Sequence, residues 1–140
     1  MNERGIRKAF IERFEGAVLT PATFPILAVT PTVFENVPNL TDDSWIRTKL
    51  NIFNSENGTI GAQSTDDTYI LHEGQFVFSI FIRLNIGTRD SSDIVDELVL
   101  LYQNKTFSGV WAKVPTPRDI GDDDHGYYMT NLIIPFQTVS

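Results

Sequence analysis

The chain reads as an α+β domain, a mixed and mainly antiparallel β-sheet covered by two amphipathic helices. Two stretches with helical apolar spacing are set among stretches that alternate dry and wet residues, and turn formers separate them. The predicted order is helix, strand, strand, strand, helix, strand, strand, with a long loop between the second and third strands. At 140 residues the length suits one domain, 1–140, with room for a real core.

Residues 3–18 place Ile6, Ala9, Phe10, Phe14 and Ala17 at three- and four-residue steps, with Glu3, Arg7, Lys8, Glu12 and Glu15 on the wet side. Gly16 and Pro21 mark where this helix stops. The next stretch, ILAVTPTVFENVP, is apolar and β-branched. Its Pro31 cannot donate to a ladder, so it predicts an edge strand or one broken by a bulge. From Trp45 to Phe53, Ile46, Thr48, Leu50 and Ile52 face one way; Trp45, Arg47, Lys49 and Asn51 face the other. Phe76–Ile86 is the clearest strand: Phe76, Phe78, Ile80, Ile82, Leu84 and Ile86 form a dry face, opposite Gln75, Ser79, Arg83 and Asn85. Three consecutive strands predict an antiparallel meander, its dry face under the helices.

After Gly87, Asp90 or Ser91 can cap a second helix, and Asp93 in its first turn suits the helix dipole. Ile94, Val95, Leu98, Leu101 and Tyr102 carry its apolar stripe towards Asn104. Gly109–Val114 predicts a short strand and Tyr127–Val139 a final one, with Pro135 pointing to an edge or a free backbone position. The proline-rich VPTPRDIGDDDHG between them is no domain linker, because only one strand follows it. Residues 54–74, NSENGTIGAQSTDDTYILHEG, are polar, carry Gly58, Gly61 and Gly74 and keep no period. This predicts a long polar loop, well beyond a usual hairpin connection, that is mobile in the free subunit and ordered on assembly.

Charge and composition exclude several classes. Eleven Lys and Arg against 18 Asp and Glu leave −7, the wrong sign for nucleic-acid binding by counterion release. There is no cysteine, so disulfides, Cys-ligated zinc, iron–sulfur clusters and thiol nucleophiles are out. No apolar run approaches the roughly 20 residues of a membrane span. MNERGIRKAF is too polar for a signal-peptide core, so a soluble protein made without a cleaved leader is expected.

Chemistry finds little to hold on to. Asp122, Asp123 and Asp124 with His125 form the obvious metal candidate, but no closing glutamate follows and consecutive aspartates cannot all face one ion. A solvated turn bounded by Gly121 and Gly126 accounts for the cluster. The histidines, His72 and His125, lie in polar loop-like sequence, and no serine occupies a nucleophile elbow. Asp42, Asp43, Asp66, Asp67, Asp90 and Asp93 fall in loops or at a helix start, where solvation or capping explains them. No phosphate-binding loop is present. Neither an enzyme nor a cofactor or metal is expected. Trp45, Tyr69, Trp111, Tyr127 and Tyr128, at strand ends or on loops, are better suited to an interface.

AVTPTVFENVP, then WIRTKL, a polar loop, GQFVFSIFIRLNIGTRDSSDIVDELVLLY and a closing strand follow one another over nearly the whole chain. In this order they resemble the small tail terminator, or tail completion, proteins of long-tailed bacteriophages. Within that group they look like related phage proteins of unassigned function with an early Tyr/Phe-Glu-Asn-Val-Pro segment, here Phe34, Glu35, Asn36, Val37 and Pro38. The resemblance implies a mixed sheet flanked by helices and a structural role without catalysis: a homohexameric ring that caps the tail tube, stops its growth and offers a surface for head attachment. The implied partners are further copies of the chain, the tail tube protein and the head–tail connector, with genomic DNA passing through unbound and no membrane. The implied location is the tail or neck of the virion, after synthesis in the host cytoplasm.

The candidate subunit or tube contacts are Phe34, Glu35, Asn36, Arg47, Lys49, Asn57, Thr59, Thr65, Tyr69 and Arg83. A head–tail joining protein of similar build is the alternative, with a small binding module or enzyme behind it. For a ring threaded by DNA, an acidic lumen keeps the duplex sliding. Some of Asp42, Asp43, Asp66, Asp67, Asp122, Asp123 and Asp124 are therefore expected near the channel, and the Lys and Arg on outer or subunit-facing surfaces, unless the acids serve only solubility.

Overall fold

The computed structural model describes residues 3–27, 30, 32–33, 44–58, 69–83, 89–122 and 126–139. In chain order its elements are α1 (Glu3–Val18), β1 (Thr32–Val33), β2 (Trp45–Gly58), β3 (Tyr69–Arg83), α2 (Arg89–Tyr102), β4 (Thr106–Phe107), β5 (Val110–Ala112), β6 (Thr116–Asp122) and β7 (Tyr127–Val139). The sheet runs β1-β2-β3-β7-β5-β4, and β6 lies beside β7 further along the edge that β5 occupies. Two helices on a mixed, mainly antiparallel sheet is the fold class the residue pattern predicts.

Helical spacing becomes packing directly. The buried residues of α1 are Ile6, Ala9, Phe10, Phe14 and Ala17, the predicted stripe. In α2, Ile94, Leu98, Leu101 and Tyr102 are buried and Val95 is half-buried. Both stripes meet the even-numbered face of β3 and β7, where Phe76, Phe78, Ile80, Ile82, Leu132, Ile134 and Phe136 are buried. Phe10 is the hub: its ring stacks on Phe76 at 4.5 Å and meets Phe107 and Phe136 edge-on at 5.1 and 5.4 Å. Each fully buried phenylalanine contributes about 2–3 kcal/mol by transfer from water.

Three polar side chains tie the elements around this core together. The Tyr102 hydroxyl donates to the Phe10 carbonyl at 2.7 Å, and burial pushes its ionisation well above the usual tyrosine range. Arg13 Nε donates to the Leu101 carbonyl at 2.8 Å, a cation at the C-terminal end of α2 where the helix dipole favours one. The Glu97 carboxylate accepts from Ile26 N, at 3.1 Å to each oxygen, and from Leu27 N at 3.2 Å. One α2 side chain thus anchors the chain that leaves α1.

The structure corrects the sequence reading in three places. First, β1 is only two residues long and runs parallel to β2, so the first three strands form no antiparallel meander. A parallel pair needs a crossover to bring the chain back to the same end, and residues 34–44 intervene here. Second, the segment 54–74 is largely strand: Asn54–Gly58 continue β2 and Tyr69–Gly74 open β3, paired from Asn54↔Glu73 to Gly58↔Tyr69. Polar sequence hid the ladder because backbone pairing needs no apolar side chains. Residues 59–68, on which the rest of the loop expectation falls, lie outside the described residues.

Third, Thr116–Asp122 is a strand rather than a connector. Among the described residues it pairs with β7 alone, and Pro117 is tolerated because edge strands can leave a backbone position unpaired. Pro135 lies in β7, between β3 on one side and β5 and β6 on the other, so of its two sequence readings, an edge or a free backbone position, the second holds. Its carbonyl accepts from Lys113 N at 2.8 Å. Because a strand residue's N–H and C=O point to the same side, its missing donor faces the interruption between Ala112 and Thr116. The proline costs no ladder bond there.

Gly74 marks the other irregularity. The β2–β3 register shifts between Ile52 and Asn54, leaving Phe53 as a bulge residue that is 65% exposed. The bulge pushes the Asn51 carbonyl against Gly74, and a Cβ at Gly74 would collide with that oxygen and come within 3.0 Å of both Ile52 Cα and the Phe136 ring. Only glycine fits this approach.

Candidate functional site

Because both helices occupy the even-numbered face, the odd-numbered face of β2, β3 and β7 is covered by no helix among the described residues. Register places its side chains in rows across the strands. One row is Trp45, Phe81 and Met129; the next is Arg47, Ser79, Asn131 and Arg118; the third is Lys49, Val77, Ile133 and Thr116. Arg83 stands beside Tyr127 at one end of the face, and Glu73 beside Gln137 and Trp111 at the other.

The first row is aromatic. Trp45 and Phe81 stack with centroids 4.3 Å apart and planes 9° from parallel. Tyr127 meets both edge-on, at 6.5 and 6.4 Å. The Arg47 guanidinium lies 5.0 Å from the Trp45 ring, in cation–π range. Trp45 is therefore buried on a face its alternation marks as wet, and its Nε1 finds no acceptor among the described residues.

In the second row, the Ser79 hydroxyl donates to Asn131 Oδ1 at 2.8 Å, and Arg47 and Arg118 flank that pair from the neighbouring strands. Val77 and Ile133 form a half-buried apolar step beside it. At the far end, Gln137 Nε2 donates to Glu73 Oε1 at 2.6 Å, and Lys113 Nζ lies 5.4 Å from the ring of Trp111, which is 45% exposed.

Three of the sequence-derived candidates, Arg47, Lys49 and Arg83, come together on this face, as their parity predicts. Asn57 pairs with Ile70 and Tyr69 with Gly58 at the far end of the β2–β3 hairpin, away from those cations. Phe34, Glu35, Asn36, Thr59 and Thr65 lie outside the described residues, as do Asp42, Asp43, Asp66, Asp67, Asp123, Asp124 and His125. Asp122, exposed at the end of β6, is the described member of the acidic set. Gly121 and Gly126, on either side of that stretch, have φ of 103° and 90°. Among the described residues no three His, Cys, Asp or Glu side chains gather as metal ligands.

Arg118 and Phe81 are the members of the face that sequence reasoning passed over. Arg118 was hidden in the proline-rich segment. Phe81 stands out only as an odd-numbered aromatic within an even-numbered apolar strand.

The face offers stacked aromatics, guanidinium groups and a shallow apolar step, a composition suited to contact with another macromolecule. No protein-family model and no curated protein matches the chain. A solved structure whose designation carries no function superposes on 100% of this chain and 96% of its own, with a TM-score of 0.67 at 17% identity. That likeness extends to the fold alone.

Proposed function

We propose that this protein is a structural component of a bacteriophage tail, a ring-forming cap that ends tube growth and presents a surface for head attachment. The resemblance of its element order and of the Phe34–Pro38 segment to tail terminator proteins supports this reading. The observation that carries it is the uncovered sheet face, where the Trp45–Phe81 stack, the Val77–Ile133 step and the cations Arg47, Lys49, Arg83 and Arg118 lie together. Large rigid aromatics and arginines supply contact energy at modest entropic cost, which suits a protein whose work is holding neighbours. In this reading the ring is a homohexamer, its neighbours are the tube and connector proteins, and DNA passes through without specific binding.

The test is electron microscopy of a phage lacking this protein. Headless tails of abnormal length are the expected result. Normal tails with empty necks would transfer the role to head–tail joining. Complete infectious particles would overturn both assignments.

A further inference from the structure

Charge is divided between the two sides of the molecule. On α1, Arg7 pairs with Glu3 at 3.1 Å and Lys8 with Glu12 at 3.7 Å, and Arg13 is turned to the Leu101 carbonyl. On the uncovered sheet face the side chains of Lys49 and Arg118 are exposed and have no acidic partner among the described residues. The exposed side of α2 carries an acid, Asp96, with Lys105 just beyond the end of the helix. Its exposed stripe runs Ser92, Asp96, Leu100, with Leu100 59% exposed and no basic residue in the last turn. Asp96, Val99 and Leu100 border a shallow groove of about 380 Å³, closed at its far end by Gln103 and Lys105. Glu97 does not belong to this surface, since its carboxylate is committed to Ile26 and Leu27.

The two surfaces complement each other in charge, Lys49 and Arg118 on one and Asp96 on the other. One presents an apolar step, Val77 and Ile133, with Lys49 in the same row and Arg118 in the next; the other presents an exposed leucine one helical turn from an aspartate. We propose that the uncovered sheet face receives the α2 stripe of a second copy of this chain, with Leu100 seated on Val77 and Ile133 and Asp96 between Lys49 and Arg118. Donor and acceptor surfaces lie on different sides of the subunit, so the contact is head-to-tail. Such contacts propagate, closing into a ring when the rotation allows and continuing as a filament when it does not. The inference deepens the tail-cap reading by naming the surfaces through which copies would join. It also stands on the charge division itself.

The experiment is sedimentation velocity on the full chain, with Arg118→Glu, Lys49→Glu and Asp96→Lys made singly. All three positions are exposed, and circular dichroism checks that each variant is folded. Wild type is expected to associate, and to do so more weakly as salt rises, because exposed pairs are screened within about 8–10 Å. Each reversal alone places like charges in contact and is expected to weaken association at least tenfold. In an alternating mixture of Arg118→Glu and Asp96→Lys, one contact sets the two substituted positions, now of opposite charge, against each other beside an unchanged Lys49. The other contact keeps the wild-type residues, so the mixture should associate more strongly than either variant alone. Wild type that stays monomeric at the highest attainable concentration overturns the proposal. So do folded single variants that assemble like wild type, or a mixture that associates no more strongly than either variant alone. Rings that survive every reversal would sink this pairing and leave the tail cap standing. Normal tails without the protein would sink the tail cap and leave the pairing standing.

Discussion

The indole of Trp45 lies flat on the ring of Phe81, centroids 4.3 Å apart, on the side of the sheet opposite the helices. The stack makes a rigid apolar floor beside the cations, held by β2 and β3 in register rather than by a loop.

Trp45 is 7% exposed and Trp111 45% exposed, so the two tryptophans should report separately. A Trp111→Phe variant, emitting from Trp45, should fluoresce further to the blue and resist acrylamide better than a Trp45→Phe variant. Equal quenching of the two would contradict the stack. Trp45→Ala should lower stability by about 1–3 kcal/mol, below the cost of a core aromatic, because the residues it packs on, Phe81, Tyr127 and Arg47, are themselves only half-buried.

Gly74→Ala should destabilise the fold by about 1–3 kcal/mol, as overpacking does, because the new methyl meets the Asn51 carbonyl and cannot displace backbone cheaply. Urea unfolding measures this. Deleting Phe53 from the same variant should recover part of the loss by removing the bulge. No recovery would show that the bulge is not the cause of the crowding.

Tyr102 ties stability to alkaline pH. Its phenol stays protonated in the folded state beyond the pH, about 10, at which an unfolded tyrosine ionises. Its contribution is whole below that pH and declines above it, where the unfolded chain releases a proton the folded chain retains. The slope attributable to it is about 1.4 kcal/mol per pH unit. Tyr102→Phe should remove that part of the alkaline decline and cost about 1 kcal/mol at neutral pH, through the lost bond to the Phe10 carbonyl. An unchanged slope would count against it.

Glu97→Ala should release the chain between α1 and β1. Its carboxylate accepts the Ile26 and Leu27 amides, and hydrogen bonds to a charged acceptor contribute about 1.5–3 kcal/mol. Faster amide exchange at Ile26 and Leu27, with α2 still protected, is the expected signature. Uniform loosening of the whole domain would mean that Glu97 supports the core instead.

The elements themselves were legible in the sequence. The α1 bounds and core stripe, the dry face of β3, the α2 stripe and the extent of β7 all follow from periods of 3.6 and 2, which are local properties of side-chain direction. The same parity placed Arg47, Lys49 and Arg83 on the face away from the helices. Pairing partners were not legible. That β1 runs parallel to β2, that polar Asn54–Gly58 pairs with Tyr69–Glu73, and that Thr116–Asp122 docks on β7 are decided by backbone hydrogen bonds between distant segments. Those bonds leave no mark on side-chain periodicity. Arg118 joins the row of Arg47 only through that last pairing, and Trp45 is buried only because β3 brings Phe81 beneath it. The sequence by itself determined which face of each element is dry; the tertiary structure alone decided which strands are neighbours, because register is a contest between non-local ladders settled by the packing of the whole sheet.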